Sequence, residues 1–386
     1  MLARNPGRRK GTHMQRTSGR RRMAWLAAAV VSVGLLGSPG AAAVRLPRVV
    51  GSHMVLQRDA ELPIWGWADP GEQVTVAIAG HEAKATADAK GRWTVKLPPM
   101  KVGGPHTMVV QGKTTVKLTD ILVGEVWVGS GQSNMQWSLA RAANARKEIA
   151  AATYPKIRLF NVPRVPAGEP ADDVNATWQA CMPGTAKGFS AVLYLFGREL
   201  HKELGVPVGL INTSWGGTRI EPWTPPCGFA AVPKLQPFVQ RIAQANARHK
   251  KSVGAALDHI EAWLATARKA QAADERTPPM PTLPRHPLHS HGQPTGLYNG
   301  MVAPLVPFAI RGAIWYQGES NCLSATAWPT TRRRRPSSAA GARCGHRATS
   351  PSTSSSSRPS ATASAPPSCR SSGRPRPPRS PSPTPA

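Results

Sequence analysis

Residues 123–136 read V-G-E-V-W-V-G-S-G-Q-S-N-M-Q, and this stretch decides the fold. The apolar run from Ile121 to Val128, interrupted by Gly124 and Glu125, is the pattern of a largely buried strand. Gly129-Ser130-Gly131 then predicts a tight turn. From Met135 onward the helix-compatible Leu139, Ala140, Ala142 and Ala143 take over. Strand, glycine turn and helix start place Ser133 at the carboxyl end of a strand, under the positive end of a helix dipole. A hydroxyl there is exposed, and backbone N–H groups can face a developing oxyanion, which is what a nucleophile needs. Spacing alone leaves an ordinary small-residue turn open as well.

Upstream, residues 44–120 read as short strands at 63–67, 74–78, 93–97, 107–110 and 116–118. Asp69-Pro70-Gly71, Ala79-Gly80, Lys90-Gly91 and Gly103-Gly104-Pro105 separate them, and such spacing predicts a small β-sandwich. Trp65, Trp67 and Trp93 suit a carbohydrate-binding face, although core packing is the commoner use of tryptophan. Downstream the pattern becomes alternating strands and helices, the α/β signature. Residues 157–160, 208–212 and 310–316 predict buried strands, and 191–204 predict a helix closed by Gly205-Val206-Pro207. Residues 234–276 predict a helical insertion packed on the main domain, with Val253, Leu257, Ile260 and Leu264 repeating on one face. The second of these strands runs into Thr213-Ser214-Trp215-Gly216-Gly217-Thr218 and the third into Gln317-Gly318-Glu319. Three polar, glycine-bearing tips thus meet at one sheet edge, where open α/β sheets bind ligands.

Gly131-Gln132-Ser133-Asn134-Met135, with Trp315-Tyr316-Gln317-Gly318-Glu319-Ser320-Asn321 downstream, resembles the sialate O-acetylesterase family of carbohydrate esterases, which are SGNH-type serine hydrolases. The likeness runs over about residues 46–321. It implies an α/β fold, with an SGNH/flavodoxin-like parallel sheet domain at 121–321 and an N-terminal β-sandwich domain at 44–120. It implies Ser133 as nucleophile and Gly217, Gln317 and Asn321 as oxyanion-hole candidates, beside the N–H of Ser133 itself. The implied substrate is an O-acetyl group on sialic acid or a related acetylated sugar, handled without cofactor or metal. An acetylxylan-type esterase is the alternative within that chemistry, and a non-catalytic glycan-binding or degraded-gene fragment is the alternative outside it.

The resemblance also implies a base, which the family takes from an Asp-x-x-His motif near the carboxyl end of the domain. No Asp-x-x-His spacing occurs in this chain. His286, His289 and His291, in H-P-L-H-S-H-G, invite a metal reading, but the prolines and glycine around them favour an ordinary loop. Glu319 can serve as a general base, although a carboxylate at a strand end more often holds Arg or backbone N–H groups. His259 is expected to be a solvated helix position.

The net charge of +29 sits largely at the ends. Residues 1–43 carry seven Arg, one Lys and no acid, and residues 322–386 carry eleven Arg and no acid. The middle, with 30 basic and 20 acidic side chains, is mildly basic and lacks dense Lys/Arg runs interleaved with aromatics, so no nucleic-acid partner is expected. Arg20-Arg21-Arg22, an apolar run of about 14 residues and Gly40-Ala41-Ala42-Ala43 read as a signal peptide over 1–43, which predicts export to the periplasm or medium. The run is short for a membrane span, so none is expected after cleavage near Ala43; an uncleaved anchor is the other reading. Cys181 and Cys227 are the cysteines of the middle and could pair in an oxidising compartment or stay as buried thiols.

Residues 322–386 contain no Asp, Glu, Lys, Val, Ile, Met, Phe or Tyr, and this low-complexity Arg/Ser/Pro tail predicts disorder. A basic tail for an acidic surface is one account, and a frameshift is the better one. Decoded from the third base with permitted synonymous codons, residues 328–331, 343–346 and 351–356 can each recover globular-looking sequence in one register. The nucleotide sequence through codon 322 decides this: codons unable to yield those segments end the idea.

Overall fold

A computed structural model describes residues 43–322 of the chain; the signal-peptide and tail readings lie outside the described residues. The first part consists of β1 (Val55–Gln57), β2 (Leu62–Trp67), β3 (Gln73–Ile78), β4 (His81–Thr86), β5 (Arg92–Leu97) and β6 (Gly103–Gln111). β2 pairs antiparallel with β5, while β4, β3 and β6 form a second antiparallel set. Alternation fixes which faces meet. Leu62 and Ile64 of β2, Val74, Val76 and Ile78 of β3, and Trp93, Val95 and Leu97 of β5 all point into one shared core. Trp93 is buried there, Trp65 packs on the same core, and the Arg45 guanidinium lies 3.9 Å from the ring centroid of Trp67. Strand β4 was not foreseen, because His81–Thr86 alternates charged or polar residues with alanine and none of its residues is buried. The turn before it, Ala79 and Gly80 with φ of 49° and 81°, has the two left-handed residues that a tight hairpin needs.

Strand β7 (Thr115–Gly131) joins this part to the α/β sheet. Its first half pairs antiparallel with β6, and residues 122–124 run parallel to β1. Its second half runs parallel to β10 (Val208–Asn212) on one side and to β11 (Gly312–Tyr316) on the other. Beyond β10 lie β8 (Tyr154–Asn161), parallel to it, and β9 (Trp178–Cys181), antiparallel to β8. The expected parallel sheet is therefore present. The helices are α1 (Ser133–Gln136), α2 (Ala145–Ala150), α3 (Pro183–Ala186), α4 (Ala191–Leu204), α5 (Pro226–Ala230), α6 (Gln236–Ala272) and α7 (Glu319–Cys322). Ser190 caps α4 by accepting from the Leu193 N–H, and Gly205 ends it in the left-handed conformation. Leu193 and Tyr194 of α4 pack with Leu159, Val208 and Leu210 of the sheet.

Three sequence expectations change. Strand β11 is largely exposed, with Trp315 at 46% and Tyr316 at 36%, because β7 is its one strand partner among the described residues. Helix α6 forms as predicted, but Leu257 and Leu264 are exposed; the helix buries Ile242, Ala245, Ala267 and Ala270 near its two ends. Cys181 is a buried free thiol whose pKa is pushed up to about 12 by burial, so no Cys181–Cys227 bridge exists.

Arg158 of β8 ties the two parts of the molecule together. Its side chain is 6% exposed, and it donates to both carboxylate oxygens of Asp120 in β7, at 2.6 and 3.0 Å. The Arg158 hydrogen bond holds the Asp120 pKa below the usual carboxylate value against the opposing effect of burial, with the His53 hydrogen bond a weaker contribution in the same direction as Arg158. Asp120→Asn keeps the left-handed φ of 56° accessible while removing the charge that faces a buried guanidinium. The expected cost is about 1–2 kcal/mol in urea unfolding at pH 7, a buried-pair value discounted for the exposed side of Asp120. Because the folded pKa is depressed, this stabilisation is present above the unfolded value and lost as pH falls through the folded one, so parent and variant converge in acid. A pH-independent difference would refute the assignment.

Candidate active site

The strand tips meet by register: Asn212 of β10 lies opposite Gly129, and Tyr316 of β11 lies opposite Gly131. Gly131 has φ of 135°, and a Cβ there would lie 2.2 Å from the Tyr316 carbonyl oxygen, so only glycine closes this turn. The Gln132 N–H donates to that carbonyl at 3.0 Å, and the Gln132 side chain is buried. The chain then turns outward, leaving Ser133 exposed. Helix α1 is one turn long, so the dipole expected behind Ser133 is a local one, from individual N–H groups.

The 215–218 loop packs directly on the serine. Trp215 N–H donates to Gly131 O at 3.0 Å, and Gly216 N–H donates to Gln136 Oε1 at 2.5 Å. A Cβ on Gly216 would sit 3.4 Å from Ser133 Cβ, which measures how closely loop and serine approach. Gly217 follows with φ of 74° and open space where a side chain would be. The loop is thus brought against Ser133 at Gly216, with Gly217 the next residue along it.

Gln317 and Asn321 are placed differently. The Gln317 amide donates to Thr218 O at 3.2 Å and to Asn321 Oδ1 at 2.8 Å, engaging both its hydrogens. Asn321 is buried; its Oδ1 also accepts from Ile220 N–H, and its amide donates to Glu221. Both side chains brace the loop that carries Gly217. Glu319 accepts from the Asn134 amide at 2.6 Å, the holding role that its position suggests.

The histidines spread out. His286 packs on His249 of α6, with ring centroids 4.4 Å apart. Burial, then the neighbouring His249, lowers its pKa. His291 stacks on Trp215, centroids 5.4 Å apart, and His259 is exposed on α6. Among the described residues no group of three or more His, Cys, Asp or Glu could hold a metal ion.

A cavity of about 520 Å³ opens beside Ser133. Asn161, Asn212 and Ser214 form its polar wall: the Asn212 amide donates to Asn161 Oδ1 at 2.8 Å, and Ser214 donates from Oγ and N–H to Asn212 Oδ1. Among the described residues neither histidine nor carboxylate lines it. These polar residues escaped sequence reasoning, although the rule that led to Ser133 covers two of them: Asn161 and Asn212 end parallel strands and face each other in register.

A parallel sheet with a covering helix, one exposed serine at a strand tip and a glycine loop against it form an α/β domain with a candidate serine site at its strand ends. Residues 123–263 match the family described as carbohydrate esterase, sialic acid-specific acetylesterase. The sialate O-acetylesterase of Mus musculus is 32% identical over 298 residues, 72% of this chain and 52% of that protein. The Homo sapiens sialate O-acetylesterase is 31% identical, over 72% of this chain and 49% of its own length. The crystal structure of a carbohydrate acetylesterase from Xanthomonas citri is 32% identical with a TM-score of 0.55, covering 74% of this chain and 53% of that one. The chain therefore belongs to the sialate O-acetylesterase family of carbohydrate esterases and spans about half the length of these relatives.

Proposed function

We propose that this chain derives from an exported esterase that removes O-acetyl groups from sialic acid or a related acetylated sugar, and that it is impaired as written. The observation that carries the reading is Ser133, exposed beside a 520 Å³ cavity with Gly216 against it. In this reading Ser133 Oγ attacks the acetyl carbonyl, and the N–H groups of Ser133 and Gly217 receive the oxyanion of the tetrahedral intermediate. Collapse expels the sugar hydroxyl and leaves an acetyl-serine, which water then cleaves. Gln317 acts by holding the Thr218 end of the loop; direct donation to the oxyanion would require it to release Thr218 or Asn321. The impairment follows from the base: no Asp-x-x-His is present in the sequence, and among the described residues no imidazole lines the cavity.

The decisive experiment sequences the locus and expresses a chain restored to the shifted frame. That chain is expected to deacetylate an O-acetylated sugar without added metal, and Ser133→Ala is expected to abolish this. A restored chain whose deacetylation survives Ser133→Ala would dismiss the serine mechanism. Export is tested by N-terminal sequencing of the mature protein, expected to begin just after Ala43. No helix among the described residues is long and apolar enough to cross a membrane.

A further inference from the structure

The cavity beside Ser133 carries charge of one sign. Arg141, eight residues beyond the serine, and Arg164, three residues beyond the end of β8, both line it, and no Asp or Glu does. Five arginines of the described residues are matched with carboxylates: Arg58 and Arg311 with Glu125, Arg92 with Asp172, Arg158 with Asp120, and Arg198 with Glu148. Arg141 and Arg164 have no such partner among the described residues. Two unmatched guanidiniums at one concavity raise the local concentration of anions and offer forked donors suited to a carboxylate.

Trp137 completes the arrangement. It lines the same cavity and is 47% exposed, yet its position is fixed, because its Nε1 donates to Arg141 O at 2.8 Å. The Arg141 guanidinium carbon lies 5.4 Å from the ring centroid. The cation therefore lies over one face of the indole, and apolar ring and charge share one cavity.

We propose that Arg141 and Arg164 are the specificity-determining residues of this cavity, together binding the carboxylate of an acetylated sugar acid, with Trp137 as the platform for its ring. The proposal rests on reading the cavity as the acetyl-ester site, but it concerns binding and needs no turnover. It separates a sugar acid from the neutral acetylxylan-type substrate that the ester chemistry leaves open.

The test uses the full chain and two probes, N-acetylneuraminic acid and its neutral methyl ester, with affinities measured by calorimetry or ligand-observed NMR. The acid is expected to bind roughly tenfold or more tightly than the ester, the value of a charge-assisted hydrogen bond in a partly exposed site. Raising the salt to about 0.5 M should erase most of the preference, because both arginines are exposed. Arg141→Gln with Arg164→Gln should remove the preference, bringing the acid's affinity down to that of the ester. Ser133→Ala should retain the preference, so a failure of the serine mechanism and a failure of the subsite give different results. Equal affinity for acid and ester in the parent chain, no measurable binding of the acid at millimolar concentration, or a preference that survives the double substitution would each overturn the proposal.

Discussion

The purified chain is expected to hydrolyse p-nitrophenyl acetate no faster than its Ser133→Ala variant. In a serine hydrolase the nucleophile and its base act as a unit, and losing either costs about 10⁶-fold in turnover, while oxyanion donors and binding leave only about 10³–10⁴ over water. Among the described residues the cavity wall offers asparagine, serine, tryptophan and arginine, none of which takes a proton at neutral pH. His291 stacks on Trp215 and is not among the cavity-lining residues. Serine-dependent turnover should fall about 10⁴-fold or more below that of a complete relative assayed alongside. Free imidazole tests the cause. A 520 Å³ cavity open to Ser133 admits it, so added imidazole should raise the rate of the parent chain above that of Ser133→Ala by more than the background reaction does. Serine-dependent hydrolysis within a hundredfold of the complete relative, with no imidazole added, would remove the missing base as the explanation.

How much of this was legible in the sequence depends on where each signal resides. The strand and the serine after it at 121–133 were legible because they are local: an apolar run and a glycine with a φ that other residues resist; the turn expected at Gly129-Ser130-Gly131 begins only at Gln132, because pairing with β10 and β11 carries β7 on through Gly131. The sandwich strands were legible where β-branched and aromatic residues alternate, and β4 was not, since packing elsewhere, and not its own sequence, holds it. The exposure of β11 and of the middle of α6 is a fact about neighbours. An apolar pattern states that a face should be covered, and cannot state what covers it. The oxyanion-hole candidates divide in the same way. The left-handed backbone of Gly217 is a local property, whereas the positions of Gln317 and Asn321 depended on the Thr218 carbonyl and the Ile220 N–H, about a hundred residues away in the chain. Arg141 and Arg164 carried no signal at all, because a solvated arginine and a cavity-lining one look alike until the strand ends are brought together.

Gly131→Ala should be the most damaging single substitution at the strand tip, destabilising the chain by more than about 3 kcal/mol and reducing soluble yield. Two costs act at once. The residue must hold φ of 135°, a region that side chains rarely adopt, at about 1–3 kcal/mol. The new Cβ must also lie 2.2 Å from the Tyr316 carbonyl oxygen, which is pinned by the Gln132 N–H and by the pairing of β11 with β7. Backbone cannot swing aside as a flexible side chain does, so relief requires prising β11 from the sheet or shifting Ser133. Gly217→Ala is the matched control: its φ of 74° imposes backbone strain, but nothing lies within 4 Å of the added methyl group, and the cost should stay near 1 kcal/mol. Urea unfolding of the two variants against the parent measures both. If Gly131→Ala proves no worse than Gly217→Ala, the close contact between the serine turn and β11 does not exist in solution, and the seating of Ser133 described above falls with it.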